Sequence, residues 1–145
     1  MFAIAPTDLD WFERIRSGPV GRVVNFWTPT PWEVKELHGG DRFYFMLKSP
    51  VRKIGGYGSF VRYVNATASA AWQLYGVNNG VDSERELVAK INRFAERRSK
   101  SVIQSDDPTI GCIELSDVIT LDNDKFLSPE STWIAAQIQT CPFRW

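Results

Sequence analysis

The sequence predicts an α+β fold, a mixed β-barrel or curved sheet with helices at its ends. Three observations predict it. Segments that alternate apolar and polar residues outnumber those with a helical period, and the two kinds are interspersed along the chain. No internal repeat, low-complexity tract or clear linker divides it. At 145 residues, 43% hydrophobic and 23% charged, the chain can bury a core of its own, and disordered and collagen-like classes are excluded. Residues 1–145 are accordingly read as a single domain.

Each element has a local reason. Residues 2–5 read as a short strand. Thr7 is expected to cap a helix running to about Ser17, with Asp8 and Asp10 at its positive end and Leu9, Phe12 and Ile15 or Trp11 facing inward. Gly18-Pro19 ends it. Residues 21–27 alternate as a strand, with Val23, Asn25 and Trp27 on one side and Val24 and Phe26 on the other; Pro29 and Pro31 stop it. Residues 32–37 suggest one helical turn, and His38-Gly39-Gly40-Asp41 a turn before a strand over 42–48, where Phe43, Phe45 and Leu47 share a face. Ser49-Pro50 closes that strand, and residues 53–64 form a long, glycine-rich one. Gly55, Gly56 and Gly58 would let something approach its backbone closely.

A short helix follows over about 69–75, then a polar loop over 76–80. Ser83 and Glu86 have capping-box spacing, and Leu87, Val88, Ile91 and Phe94 give the helix they start one apolar face. Arg97, Arg98 and Lys100 close it. Residues 110–121 read as a strand, and Trp133-Ile134 as a last one. The expected core includes Phe43, Phe45, Leu47, Ile54, Phe60, Ile113 and Leu115.

Composition narrows the function classes. The formal net charge is zero, which argues against a wide electrostatic footprint on nucleic acid and leaves room for a local basic patch. No apolar run approaches the roughly 18 residues that span a bilayer, and the start lacks a signal-peptide pattern, so a cytoplasmic protein with no membrane partner is expected. Cys112 and Cys141 make no framework, and Cys112 in its apolar run reads as a buried free thiol.

Catalytic patterns are sparse. His38 is the one histidine, placed in a glycine turn, where a histidine is more often solvated than catalytic. With no CxxC pair and no second histidine, no metal site is expected, and no cofactor either. No phosphate-cradling GxxxxGK[ST] occurs, and Gly55-Gly56-Tyr57-Gly58 does not match a dinucleotide fingerprint. Asp106-Asp107 and the Asp122/Asp124 pair fall in loops, where solvation is the plain reading; Glu33-Val34-Lys35 supplies a nuclease-like tripeptide, but beside a proline run. The chain is expected not to be an enzyme.

Three blocks carry a resemblance. They are Val24-Asn25-Phe26-Trp27-Thr28-Pro29; Leu37 with Gly40-Asp41-Arg42-Phe43-Tyr44-Phe45, Lys48-Ser49-Pro50 and Ile54-Gly55-Gly56-Tyr57-Gly58-Ser59-Phe60; and Ala71-Trp72-Gln73-Leu74-Tyr75-Gly76-Val77-Asn78-Asn79-Gly80 with Ile110-Gly111-Cys112-Ile113. Together they resemble the N-terminal domain of a group of bacterial HNH restriction endonucleases, within the PUA-like superfamily that also holds EVE, YTH, ASCH and SRA domains. The resemblance implies a PUA-like barrel with flanking helices and a pocket near its strand ends for a modified base. Cutting would belong to an HNH module, whose residues are absent here. The implied partner is nucleic acid, modified DNA foremost, with an HNH nuclease module beside it; the alternative is a stand-alone ASCH- or EVE-like module for RNA or a small ligand.

A base pocket needs aromatic walls and groups that read an edge. Trp27, Trp32, Tyr57 and Trp72 are candidate walls, Asn25 and Asn78 candidate edge readers, and Lys48 and Ser49 stand at a strand end. Tyr57, between glycines, is expected to stack on the ligand. Each has a structural alternative: Trp27 and Trp72 as core, Asn78 as a turn residue. Arg52, Lys53 and Arg62 are candidate phosphate contacts, whereas Lys90, Arg93 and Arg97 read as a solvated helix face.

Overall fold

The computed structural model describes residues 2–19, 22–31, 35–98 and 105–128. Trp32, Glu33 and Val34, Lys100, Cys141 and the strand expected at Trp133-Ile134 lie outside the described residues. In chain order the elements are β1 (Phe2–Thr7), α1 (Leu9–Arg16), β2 (Val24–Thr28), β3 (Arg42–Leu47), β4 (Ile54–Thr67), α2 (Ala68–Tyr75), a 3-10 turn (Gly76–Asn79), α3 (Glu84–Arg98) and β5 (Thr109–Thr120). The strands form one sheet in the order β1-β3-β4-β5-β2, with β1 parallel to β3 and the other pairs antiparallel.

The expected barrel is corrected to an open, five-stranded sheet among the described residues. β1 and β2 are its two edges, and a helix rather than a hydrogen-bond ladder bridges them. Ala3 and Ala5 keep the inner face of β1 shallow, and Trp11 of α1 packs there edge-on to Phe26 of β2 and Phe45 of β3, at ring separations of 5.2 and 5.3 Å. Its indole N–H donates to the carbonyl of Asn25 on β2 at 3.2 Å. Pattern along a strand sets which face is buried, not which edges meet.

Local starts also shift. Asp8, not Thr7, caps α1: its carboxylate accepts the Trp11 N–H at 3.4 Å. Thr7 stays in β1, in register with Leu47, and its carbonyl accepts the Lys48 N–H at 3.0 Å. Thr67 caps α2 one residue earlier than expected, its hydroxyl accepting the Ala70 N–H. Ser83 accepts the Glu86 N–H at 3.1 Å, as its spacing predicts.

All seven expected core residues are buried. Six line one face of the sheet with Trp11, Phe12 and Ile15 of α1, while Ile54 joins Ile4 and Tyr44 on the opposite face. β4 and β5 are long enough to serve two cores. Phe60, Ile113 and Leu115 face α1, and Ile110 and Cys112 pack under α2 and α3 with Ala71, Leu87 and Ile91. The β4–β5 pairing shifts register at Tyr57/Ser59 and Phe60/Arg62, bulges that interrupt the ladder between the two strands. Cys112 is buried and free, and burial pushes its thiol up to about 11.

The glycines of β4 answer a packing need rather than a ligand. A Cβ at Gly56 would lie 2.2 Å from the Ile119 carbonyl oxygen, so β5 occupies the space that the sequence suggested for a guest. Among the described residues no helix is long and apolar enough to cross a membrane.

Candidate functional site

A cleft of about 420 Å³ opens where the end of β1, β2, the turn after β3 and the second half of α3 converge. That volume falls within the roughly 300–1,000 Å³ usual for ligand sites. Its walls are largely aromatic: Phe26 and Trp27 from β2, Trp11 from α1 and Phe94 from α3. Trp27 meets Phe94 edge to face, with ring centroids 6.0 Å apart.

A buried amide relay fixes Trp27 from behind. Its indole N–H donates to the Asn79 carbonyl at 2.9 Å. The Asn79 side chain, fully buried, donates to the carbonyls of Ala71 (3.0 Å) and Gly76 (2.8 Å) and accepts the Asn25 amide at 2.8 Å. The next residue, Gly80, has φ 73° and lies against Trp11; a Cβ there would meet the indole at 2.2 Å. The turn over 76–80 therefore presses on both indoles of the cleft.

Charge is arranged around Phe94. The Lys48 ammonium lies 5.1 Å, and the Arg97 guanidinium 5.4 Å, from the centre of its ring. Neither cation has a carboxylate partner among the described residues. Lys90, also on the cleft, differs: it is 8% exposed, bonded to Asp10 and 3.6 Å from Glu86. The Lys90 hydrogen bond holds the Asp10 carboxyl below the usual range, with burial opposing.

The fold is similar to that of a solved ASCH protein. Solved structures of the ASCH protein of Zymomonas mobilis align with this chain at a TM-score of 0.50 and 16% identity, covering 99% of this chain and 96% of that one. Two mutant forms of ZmASCH align at TM-scores of 0.51 and 0.50, each 15% identical and covering 95% of this chain and 93% and 95% of theirs. No protein-family model matches the chain, and no curated protein matches it in sequence. The likeness to ASCH proteins is one of fold.

On this ASCH-like frame the expected site residues separate. Trp27 and Lys48 line the cleft, and Asn25 lies directly behind it, sealed into the amide relay. Asn78 sits beside Asn79 but outside the cleft lining, with its side-chain oxygen buried and without a hydrogen-bond partner. Ser49 is exposed in the turn after β3, and Trp72 packs against the core beneath α2 and α3. Tyr57 is on the opposite face of the sheet, edge-on to Tyr44 at 5.9 Å and with the Arg42 guanidinium 4.4 Å above its ring. Arg52 and Lys53 are exposed in the turn before β4. Arg62 is held 3.4 Å from Glu114, which also accepts the Tyr75 hydroxyl at 2.8 Å.

Phe94, Phe26 and Asn79 escaped sequence reasoning as site residues, and Arg97 reads there as part of a solvated helix face. A signal existed for two of them: Lys90, Phe94 and Arg97 stand at i, i+4 and i+7, one helix face carrying an aromatic between cations. Two of the residues weighed for catalysis, His38 and Asp107, hold local structure. His38 is exposed in its turn, its backbone N–H donating to Asp41 at 2.8 Å. Asp107 accepts both the hydroxyl and the N–H of Ser69 at the start of α2, which holds its carboxyl low. Among the described residues no three His, Cys, Asp or Glu side chains cluster as a metal would require.

Proposed function

We propose that this chain is a nucleic-acid-binding module that takes one unstacked base into the aromatic cleft and does no cutting of its own. The observation that supports it is the pairing of Trp27 and Phe94 as walls with Lys48 and Arg97, two cations without carboxylate partners among the described residues, over the same ring. Drawing a base from its stack costs a few kcal/mol, which aromatic contact and edge hydrogen bonds offset. The cations offer the neighbouring phosphates two contacts that position the strand without reading it. The finer form of this reading is recognition of a modified base in DNA, in the service of a separate HNH nuclease; an ASCH-like RNA binder that acts alone is the second reading, favoured by the fold likeness to ASCH structures.

Fluorescence anisotropy with labelled duplexes carrying different base modifications, plain duplexes, and single strands of DNA and RNA tests the proposal. Phe94→Ala is expected to weaken the preferred ligand about tenfold or more, since a base stack is worth about 1–3 kcal/mol. Tyr57→Ala, on the far face, is expected to change nothing. Equal binding by the wild type and Phe94→Ala would remove the cleft from consideration. Cleavage of any of these ligands with added magnesium, manganese, cobalt or nickel, lost in a point variant, would overturn the claim that the chain does not cut.

A further inference from the structure

Resting on that reading, we infer that Asp8 selects the base: the cleft takes one whose edge carries an amino group, and disfavours uracil and thymine. The inference comes from which polar side chains of the cleft still have capacity. The Trp27 indole N–H is engaged by the Asn79 carbonyl and the Trp11 indole N–H by the Asn25 carbonyl. The Thr28 hydroxyl donates to the Thr30 carbonyl at 2.8 Å. The Lys90 ammonium is held by Asp10 and Glu86. On the lining side chains, the donors between β2 and α3 are thus turned into the protein, except the two cations on Phe94.

Asp8 is the opposite case. It lines the cleft, and among the described residues its side-chain hydrogen bond is one long contact, Oδ2 accepting the backbone N–H of Trp11 at 3.4 Å. A carboxylate accepts only, with room for several hydrogen bonds. An exocyclic amino group brings two N–H donors, and a carboxylate accepting from the cytosine amino group is a standard pairing. Uracil and thymine turn a carbonyl oxygen to the same place, where it faces negative charge with no proton between. The complementary ligand therefore carries N–H donors on its base and negative charge on its backbone, the first for Asp8 and the second for Lys48 and Arg97.

The decisive variant is Asp8→Asn. Asparagine caps a helix as well as aspartate does, so α1 keeps its start. Its amide, unlike the carboxylate, also donates, and so accepts a carbonyl edge. Binding is measured for single-stranded oligonucleotides that differ at one central base: cytosine, cytosine with its amino group doubly methylated, or uracil, each on deoxyribose and ribose backbones. The wild type is expected to favour cytosine over both others by about tenfold, and Asp8→Asn to abolish the gap between cytosine and uracil. Equal affinity for the three bases, or a gap that survives in Asp8→Asn, overturns the role of Asp8 while leaving base binding intact. Failure of every oligonucleotide to bind overturns the base-binding reading, and this inference with it.

Discussion

Asn79 and Asn78 are adjacent and identical, and the structure gives them opposite worth. Asn79 satisfies two carbonyls and one amide in a fully buried position, and its own carbonyl holds the Trp27 indole. Truncating its side chain removes the bonds to the Asn25 amide and the Ala71 and Gly76 carbonyls, and an unsatisfied buried group costs about 1–3 kcal/mol. Asn79→Ala is therefore expected to lower stability by about 3 kcal/mol or more in urea unfolding. Asn78 has a buried oxygen with no partner, so Asn78→Ala is expected to cost about 0.5 kcal/mol or less. Equal losses would show that the relay is not what holds this turn. The sequence marks both as turn residues after a short helix, since the residue type says nothing of which one points inward. Tyr57 shows the same limit from the other side. Glycine neighbours make it look open to a ligand, yet those glycines are small because β5 and Leu47 lie against them.

At the scale of elements, α1 and α3 are tied by charge as well as by packing. Arg14 reaches Asp82 at 2.6 Å and Glu86 at 3.3 Å, and Lys90 joins Glu86 to Asp10. The Asp10 carboxyl is held low in the folded chain, chiefly by Lys90. Its stabilising contribution is full above the carboxyl's ordinary value and is lost as pH falls through the lower, folded value. The urea midpoint is thus expected to fall on acidification below about pH 4, and Lys90→Met to make that fall shallower. Methionine keeps the stem packed while removing the charge, and Asp10 is exposed enough to be solvated alone. An acid limb unchanged in Lys90→Met would place the loss elsewhere, for instance at Asp107. Element starts were less legible than element faces. Thr7 and Asp8 are both capping types, and only the parallel register of β1 on β3 decides between them. The face shared by Phe43, Phe45 and Leu47 needed nothing beyond a period of two.

For the whole molecule, zero net charge sets an expectation about salt. If phosphates are met chiefly by Lys48 and Arg97, two contacts at about −0.7 each give a slope of log K against log salt near −1.4 for a single strand. Lys48→Ala and Arg97→Ala are each expected to reduce it by about 0.7. A slope several times steeper in the wild type would mean that a wider surface, such as the turn holding Arg52 and Lys53, carries the strand. The overall architecture was legible as α+β, because alternation and capping are local. Its openness was not, because whether β1 meets β2 depends on a tryptophan from α1 filling the space between them.

The cleft draws its lining from residues 6–11, 26–29, 48, 80 and 90–97, so pieces from both halves of the described chain must be assembled before it exists. An unfolded or half-folded chain offers a guest almost none of it. Occupancy therefore feeds back on folding by mass action: at a free ligand concentration a hundredfold above Kd, the native state gains about 2.7 kcal/mol. Amide protons in β1, β2 and α3 should then slow their exchange together, although they are far apart in the chain. Protection confined to α3 would mean that the guest merely rests on one helix. Protection in all three would make the ligand a clasp that holds the two edges of the sheet and α3 as one unit.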